Sequence, residues 1–178
     1  MRLSLVASAL PLLLLPACTE YGPYESTSAA LTDDPVAACP VVEIDAIAGH
    51  EATFYQCAEQ TLHCGSTGYL IGYGTKYAER FYRKTRPWMS RAGQAWIDEV
   101  LVCLQEELRA ATDSTTSCED VRTIAFDTHP DCYLAAGFCE LPFLDWLAVS
   151  ATVDGIDWLS RDAQRQVAEV AHACLFGE

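Results

Sequence analysis

The residues best able to do chemistry in this chain are nine cysteines and four histidines. No two cysteines fall in a CxxC pair, so neither a redox dithiol nor a thiolate zinc site is indicated. The histidines, His50, His63, His129 and His172, are scattered and read as surface or helix-end residues. There is no GxSxG nucleophile elbow, no HExxH metal helix and no calcium loop of EF-hand spacing. Gly72-Tyr73-Gly74 begins like a phosphate loop, but Tyr77 stands where a third glycine belongs and no strand precedes it. Asp154-Gly155-Ile156-Asp157 reads as a turn. These residues predict no catalytic site, no bound metal and no cofactor.

Cysteine chemistry points instead to covalent stapling and anchoring. Met1-Arg2 precedes an apolar run over residues 3–15, too short for a membrane span, which reads as a signal peptide over residues 1–17. Leu15-Pro16-Ala17-Cys18 resembles a bacterial lipobox, with Pro16 departing from the usual small or aliphatic residue. Lipidation of Cys18 would leave eight cysteines, Cys39, Cys57, Cys64, Cys103, Cys118, Cys132, Cys139 and Cys174, an even number that can pair completely in an oxidising compartment. Residues 18–38 mix turn formers with charge and are expected to be a tether. The expected destination is the cell envelope, as an outer-membrane lipoprotein or a secreted protein.

Composition limits the rest. Without its signal the chain keeps about 160 residues, enough for one domain with a real core. Hydrophobic residues make up 51% of the sequence and the formal charge is −14, which disfavours nucleic acid and anionic lipid surfaces. An extracellular protein or a small cationic ligand fits better, with the membrane reached only through the anchor.

The elements that must hold the cysteines are helical. Tyr77 and Phe81, and Ala78 and Tyr82, sit four apart and predict a helix over residues 75–86, ended by Pro87. Ser90 can cap the longest helix, where Trp96, Val100, Cys103, Leu104, Leu108 and Ala111 make one apolar stripe. Residues 113–116 break the pattern. Ser117 restarts it with Glu119 and Asp120 in the first turn, and Pro130 is expected to kink or restart that helix at His129. Gly137 should end it. Residues 141–149 form a short apolar candidate, and Ser160 opens a last helix carrying Ala163, Val167, Val170, Ala171 and Cys174. Residues 40–53 are weakly patterned and no stretch alternates like a strand. The expected class is all-α, a small disulfide-stapled helical domain over residues 39–178.

Two resemblances bear on function. His129-Pro130-Asp131-Cys132-Tyr133 resembles the HDxCY stretch of secreted phospholipases A2, which implies a calcium-dependent lipid hydrolase with His129 activating water. Pro130 stands where that family has its calcium-binding aspartate, and Asp131 is one residue late, turned about 100° around a helix. Residues 65–74 are glycine-rich as its calcium loop would be, without the cysteine framework.

The second resemblance covers more of the chain. Phe54-Tyr55-Gln56-Cys57, then Cys64, Lys76-Tyr77-Ala78-Glu79-Arg80-Phe81, Gly93-Gln94-Ala95-Trp96-Ile97 and Leu101-Val102-Cys103-Leu104 are similar in order and spacing to the stanniocalcin family. The likeness continues through Cys118, Ile124, Cys132-Tyr133 and Cys139 to Cys174. It implies a helical domain with the pairs Cys39 to Cys57, Cys64 to Cys118, Cys103 to Cys132 and Cys139 to Cys174. Eight cysteines alone permit about 105 pairings. A further family bridge falls at Ala52 and Ala78, both alanine here, so the two backbones are expected to stay within bridging range. The sequence contains no asparagine, hence no N-glycosylation site. The function implied is a non-enzymatic, secreted or surface-anchored binding or interaction module.

Overall fold

Ser90 does cap the longest helix: its Oγ accepts from the Gly93 N–H at 3.1 Å, and α3 runs Arg91–Ala111 in the computed structural model, which describes residues 33–177. Trp96, Ile97, Val100, Leu101 and Leu108 bury its inner stripe. Thr112 to Ser117 form the break, and Ser117 accepts from the Asp120 N–H at 3.2 Å to start α4, Cys118–Ala135. These two helices pack against each other as the centre of the fold.

The chain around that pair is helical throughout, with no strand among the described residues. A 3-10 turn, Ile44–Ala46, precedes α1, Thr53–Leu62. Next comes one nearly continuous helical path: a π-wound segment Tyr69–Thr75, α2 over Lys76–Arg80, a second π-wound segment Phe81–Thr85 and a 3-10 turn Arg86–Trp88. After α4, a 3-10 turn Phe138–Glu140 leads to α5, Phe143–Thr152, then the single turn α6, Gly155–Trp158, and α7, Arg161–Phe176, capped by Ser160. The architecture is an all-α domain stapled by disulfides.

Four features differ from the sequence-based expectations. The helix expected over residues 75–86 begins at Tyr69, so the glycine-rich stretch 65–74 is partly helical. Gly74 is required there, since a Cβ on it would stand 2.9 Å from the Tyr55 ring. Next, α1 forms with no cap of its own: buried Gln105 of α3 accepts from the Phe54 N–H at 3.3 Å and donates to the Glu51 carbonyl at 3.0 Å. Pro130 neither stops nor restarts α4, which runs unbroken past it. Finally, the packed domain includes residues ahead of Cys39. Val36 is fully buried, and the Asp34 carboxylate accepts from the N–H groups of Val36 (2.9 Å), Ala37 (3.2 Å) and Ser114 (2.8 Å). Residues 33–38 thus belong to the domain. The expected signal peptide, Cys18 and the remainder of the tether lie outside the described residues.

Eight cysteines form four bridges, Cys39–Cys57, Cys64–Cys118, Cys103–Cys132 and Cys139–Cys174, with sulfurs 1.98 to 2.06 Å apart. These are the same four pairs that the stanniocalcin resemblance implies. So many bridges in a domain of this size belong to an oxidising, extracytoplasmic setting. No helix among the described residues is long and apolar enough to cross a membrane.

Candidate functional site

Helix α7 packs along α4, while α5 leans on the π-wound segment Phe81–Thr85. Between α5 and α7 lies a cleft of about 370 Å³. One wall is the stripe of α7 that the sequence marks as apolar, from Ala163 through Val167, Val170 and Ala171 to Cys174, with Leu175 beside it. Along this wall Val167 is 44% exposed and Leu175 76% exposed, so the wall is partly open to solvent.

The opposite wall is aromatic. Trp146 lies flat on Phe138, ring centroids 5.7 Å apart and planes 7° from parallel, and its Nε1–H donates to the Phe138 carbonyl at 2.9 Å. Trp158 donates its own Nε1–H to the Ser150 carbonyl at 2.8 Å. Both indole donors are therefore spent within the protein, and the rings offer the cleft apolar surface. Among the described residues no charged side chain lines it. The Cys139–Cys174 disulfide is part of the wall.

Beneath the cleft, and sharing Tyr73, Phe81, Tyr133 and Val153 with it, is a smaller chamber of about 40 Å³ that reaches His129. His129 is 3% exposed, which corrects its expected place at a surface or helix end. Its ring stacks on Phe126 at 5.5 Å and meets the edges of Tyr69, Tyr73 and Tyr133. The Nδ1–H donates to the Ala125 carbonyl within the same helix. Burial pushes the imidazole down to about 4, against the pull of that carbonyl. Asp131 is exposed, so the structure does not bring it together with His129. His50, His63 and His172 are exposed. Among the described residues no three His, Cys, Asp or Glu side chains are grouped to hold a metal ion.

A polar cluster fastens the lip of the cleft. Tyr77 donates its hydroxyl proton to the Asp157 carboxylate and accepts from the Asp154 N–H at 3.0 Å. Lys76 Nζ reaches Asp154 at 2.7 Å and Asp157 at 3.0 Å, and Arg80 reaches Asp154 at 2.6 Å and the Thr152 carbonyl at 3.1 Å. Hydrogen bonds from Arg80 and Lys76 hold the Asp154 carboxyl at about 2. Burial raises Asp157, but Tyr77 and Lys76 outweigh it and keep that carboxyl below its ordinary value. The sequence reading of residues 154–157 as a turn thus meets a helical turn bound to α2.

No motif in the sequence marks the cleft. Its signal in the sequence is α5, where Phe143, Leu144, Trp146, Leu147 and Val149 spread apolar surface over more than one face of a short helix. Helices with two apolar faces have a second surface to cover. No family model, curated protein or solved structure matches this chain.

Proposed function

We propose that this protein is a non-enzymatic binding module of the cell envelope, surface-anchored through Cys18, that takes a small apolar ligand in the cleft between α5 and α7. The cleft carries this reading: its volume of about 370 Å³ and its apolar lining are those of a small-molecule site. The stanniocalcin-like character of the domain is part of the same proposal and rests on cysteine order and spacing.

Binding is tested with the neutral fluorophore N-phenylnaphthylamine, whose emission rises in apolar surroundings, and by quenching of Trp146 and Trp158, which line the cleft. Saturable binding is expected, and Ala171→Trp should reduce it by filling the cleft. Absence of saturable binding would overturn the proposal. Detergent-phase partitioning of the wild type and Cys18→Ala tests the anchor, and equal behaviour would remove it. A calcium-supplemented esterase assay should be blank. Turnover that disappears in His129→Ala would favour the phospholipase-like reading instead.

A further inference from the structure

We propose that the ligand of this cleft is a single alkyl chain carrying an uncharged, zwitterionic or cationic headgroup, laid along α7. The inference rests on the reading of the cleft as a ligand site. Shape is the first argument: the lining stripe of α7 runs from Ala163 to Leu175, twelve residues apart and therefore about 18 Å long. One leaflet of a bilayer's hydrocarbon core, the length of one acyl chain, is about 15 Å.

The second argument is chemical. The described residues of the cleft wall carry no charge, and its two indole N–H groups are already bonded to protein carbonyls, so little recognises a polar group along its length. Apolar surface continues beyond the cleft. Among the described residues, eight of the ten large apolar side chains that stand exposed, Phe143, Leu144 and Leu147 on α5, Ile156 and Leu159 at α6, and Val167, Leu175 and Phe176 on α7, belong to the helices that bound it. An amphiphile whose chain enters the cleft can cover part of this surface.

Charge selects the headgroup. The protein carries −14, and Lys76, Arg80 and Arg165 are each held by a carboxylate, Arg165 by Asp127 at 2.6 Å. An anionic headgroup would meet net repulsion, while a phosphocholine or ammonium head would not.

The test is displacement of N-phenylnaphthylamine from the full-length mature protein by octyl, decyl, dodecyl and tetradecyl phosphocholine below their micelle concentrations. Alkyl sulfates of matching length and pyrene serve as competitors. Each added pair of methylenes should tighten binding roughly fifteenfold until the cleft is full. The sulfates should bind more weakly than their phosphocholine partners, with the gap narrowing as salt rises. Ala171→Trp should make the gain stop at a shorter chain, and Leu175→Gln, at the exposed end, should cost only the longest chains. Affinity independent of chain length, sulfates binding as well as phosphocholines, or displacement by pyrene alone would overturn the alkyl-chain assignment while leaving an apolar ligand site intact. Failure of the fluorophore to bind at all would overturn both.

Discussion

Pro130 shows how one side chain on a different helix lets a residue sit where it ordinarily breaks structure. Proline has no N–H, so the Phe126 carbonyl four residues earlier loses its helical donor. Gln166 of α7 replaces it, its buried amide donating to Phe126 O at 3.3 Å. In Gln166→Leu that carbonyl is left without a partner, and a cost of about 1 to 3 kcal/mol is expected. In a Pro130→Ala background the alanine N–H restores the helical bond, so the same Gln166→Leu change should cost less. Denaturant unfolding of the four proteins in this cycle measures the coupling, and equal costs in both backgrounds would refute the compensation. His129, one residue before Pro130, sets a pH dependence. Its imidazole titrates at about 4 in the folded protein, below the ordinary histidine value of 6.5. The unfolded chain therefore binds this proton first as pH falls, and stability that is complete above about 6.5 declines toward pH 4, by roughly 3 kcal/mol in all. Asp34 and Asp154, held at about 2, lose their contributions only lower, between their ordinary value near 3.8 and pH 2. Melting temperature against pH should thus fall in two stages. His129→Phe should flatten the upper one alone, and an unchanged upper stage in that variant would assign it elsewhere.

At the scale of elements, local chemistry explains which helices were legible. Ser90, Ser117 and Ser160 each cap the helix that follows from within three residues, and α3, α4 and α7 start where those serines place them. Helix α1 takes its cap from Gln105, 51 residues away in the sequence, which no local pattern reveals. The segment Tyr69–Thr75 is π-wound, so its buried residues do not recur at the 3.6 spacing, and Gly72 and Gly74 read as loop formers. Phe126 O and Gln166 meet only in the folded chain, which is why Pro130 looked like a break. The cleft is not legible in the sequence for a related reason: a stripe on α7 announces apolar contact without saying whether a neighbour fills it. Ala52 and Ala78, at the N-terminal end of α1 and within α2, are both 3% exposed and belong to one core. Ala52→Cys with Ala78→Cys should therefore form a fifth bridge, stabilising by about 3.5 kcal/mol in the chain-entropy model for a loop of this length. Peptide mapping without reductant reads the outcome. Two free thiols in the folded double variant would show that the backbones stand outside bridging range, and the family argument would lose that support.

Across the whole molecule the four bridges do unequal work. Cys103–Cys132 joins α3 to α4, which already pack along their lengths, and Cys39–Cys57 ties the N-terminal segment to α1 beside the buried Val36. Cys139–Cys174 has a different task. Helix α7 buries Ala163, Gln166 and Val170, but among the described residues none after Val170 is buried, and Leu175 and Phe176 are largely exposed. The last turn of α7 is thus held chiefly by its disulfide to the turn after α4, and that same turn is one end of the cleft wall. Closing a loop of 35 residues is worth about 4 kcal/mol in the chain-entropy model. Replacing both cysteines by serine should lower the melting temperature by roughly 10 °C. The distribution of the loss is the more telling measurement. Hydrogen exchange should quicken in residues 171–176 well beyond any change in α3 and α4, because the intact α3/α4 pair does not depend on this bridge. Binding of N-phenylnaphthylamine should weaken in parallel, since the wall formed by Cys174 and Leu175 is no longer held in place. Removing Cys103 and Cys132 should do the reverse, quickening exchange in α3 and α4 first. Equal loss of protection throughout the domain in both variants would mean that the bridges stabilise the chain only globally, and that the cleft wall owes nothing specific to Cys139–Cys174.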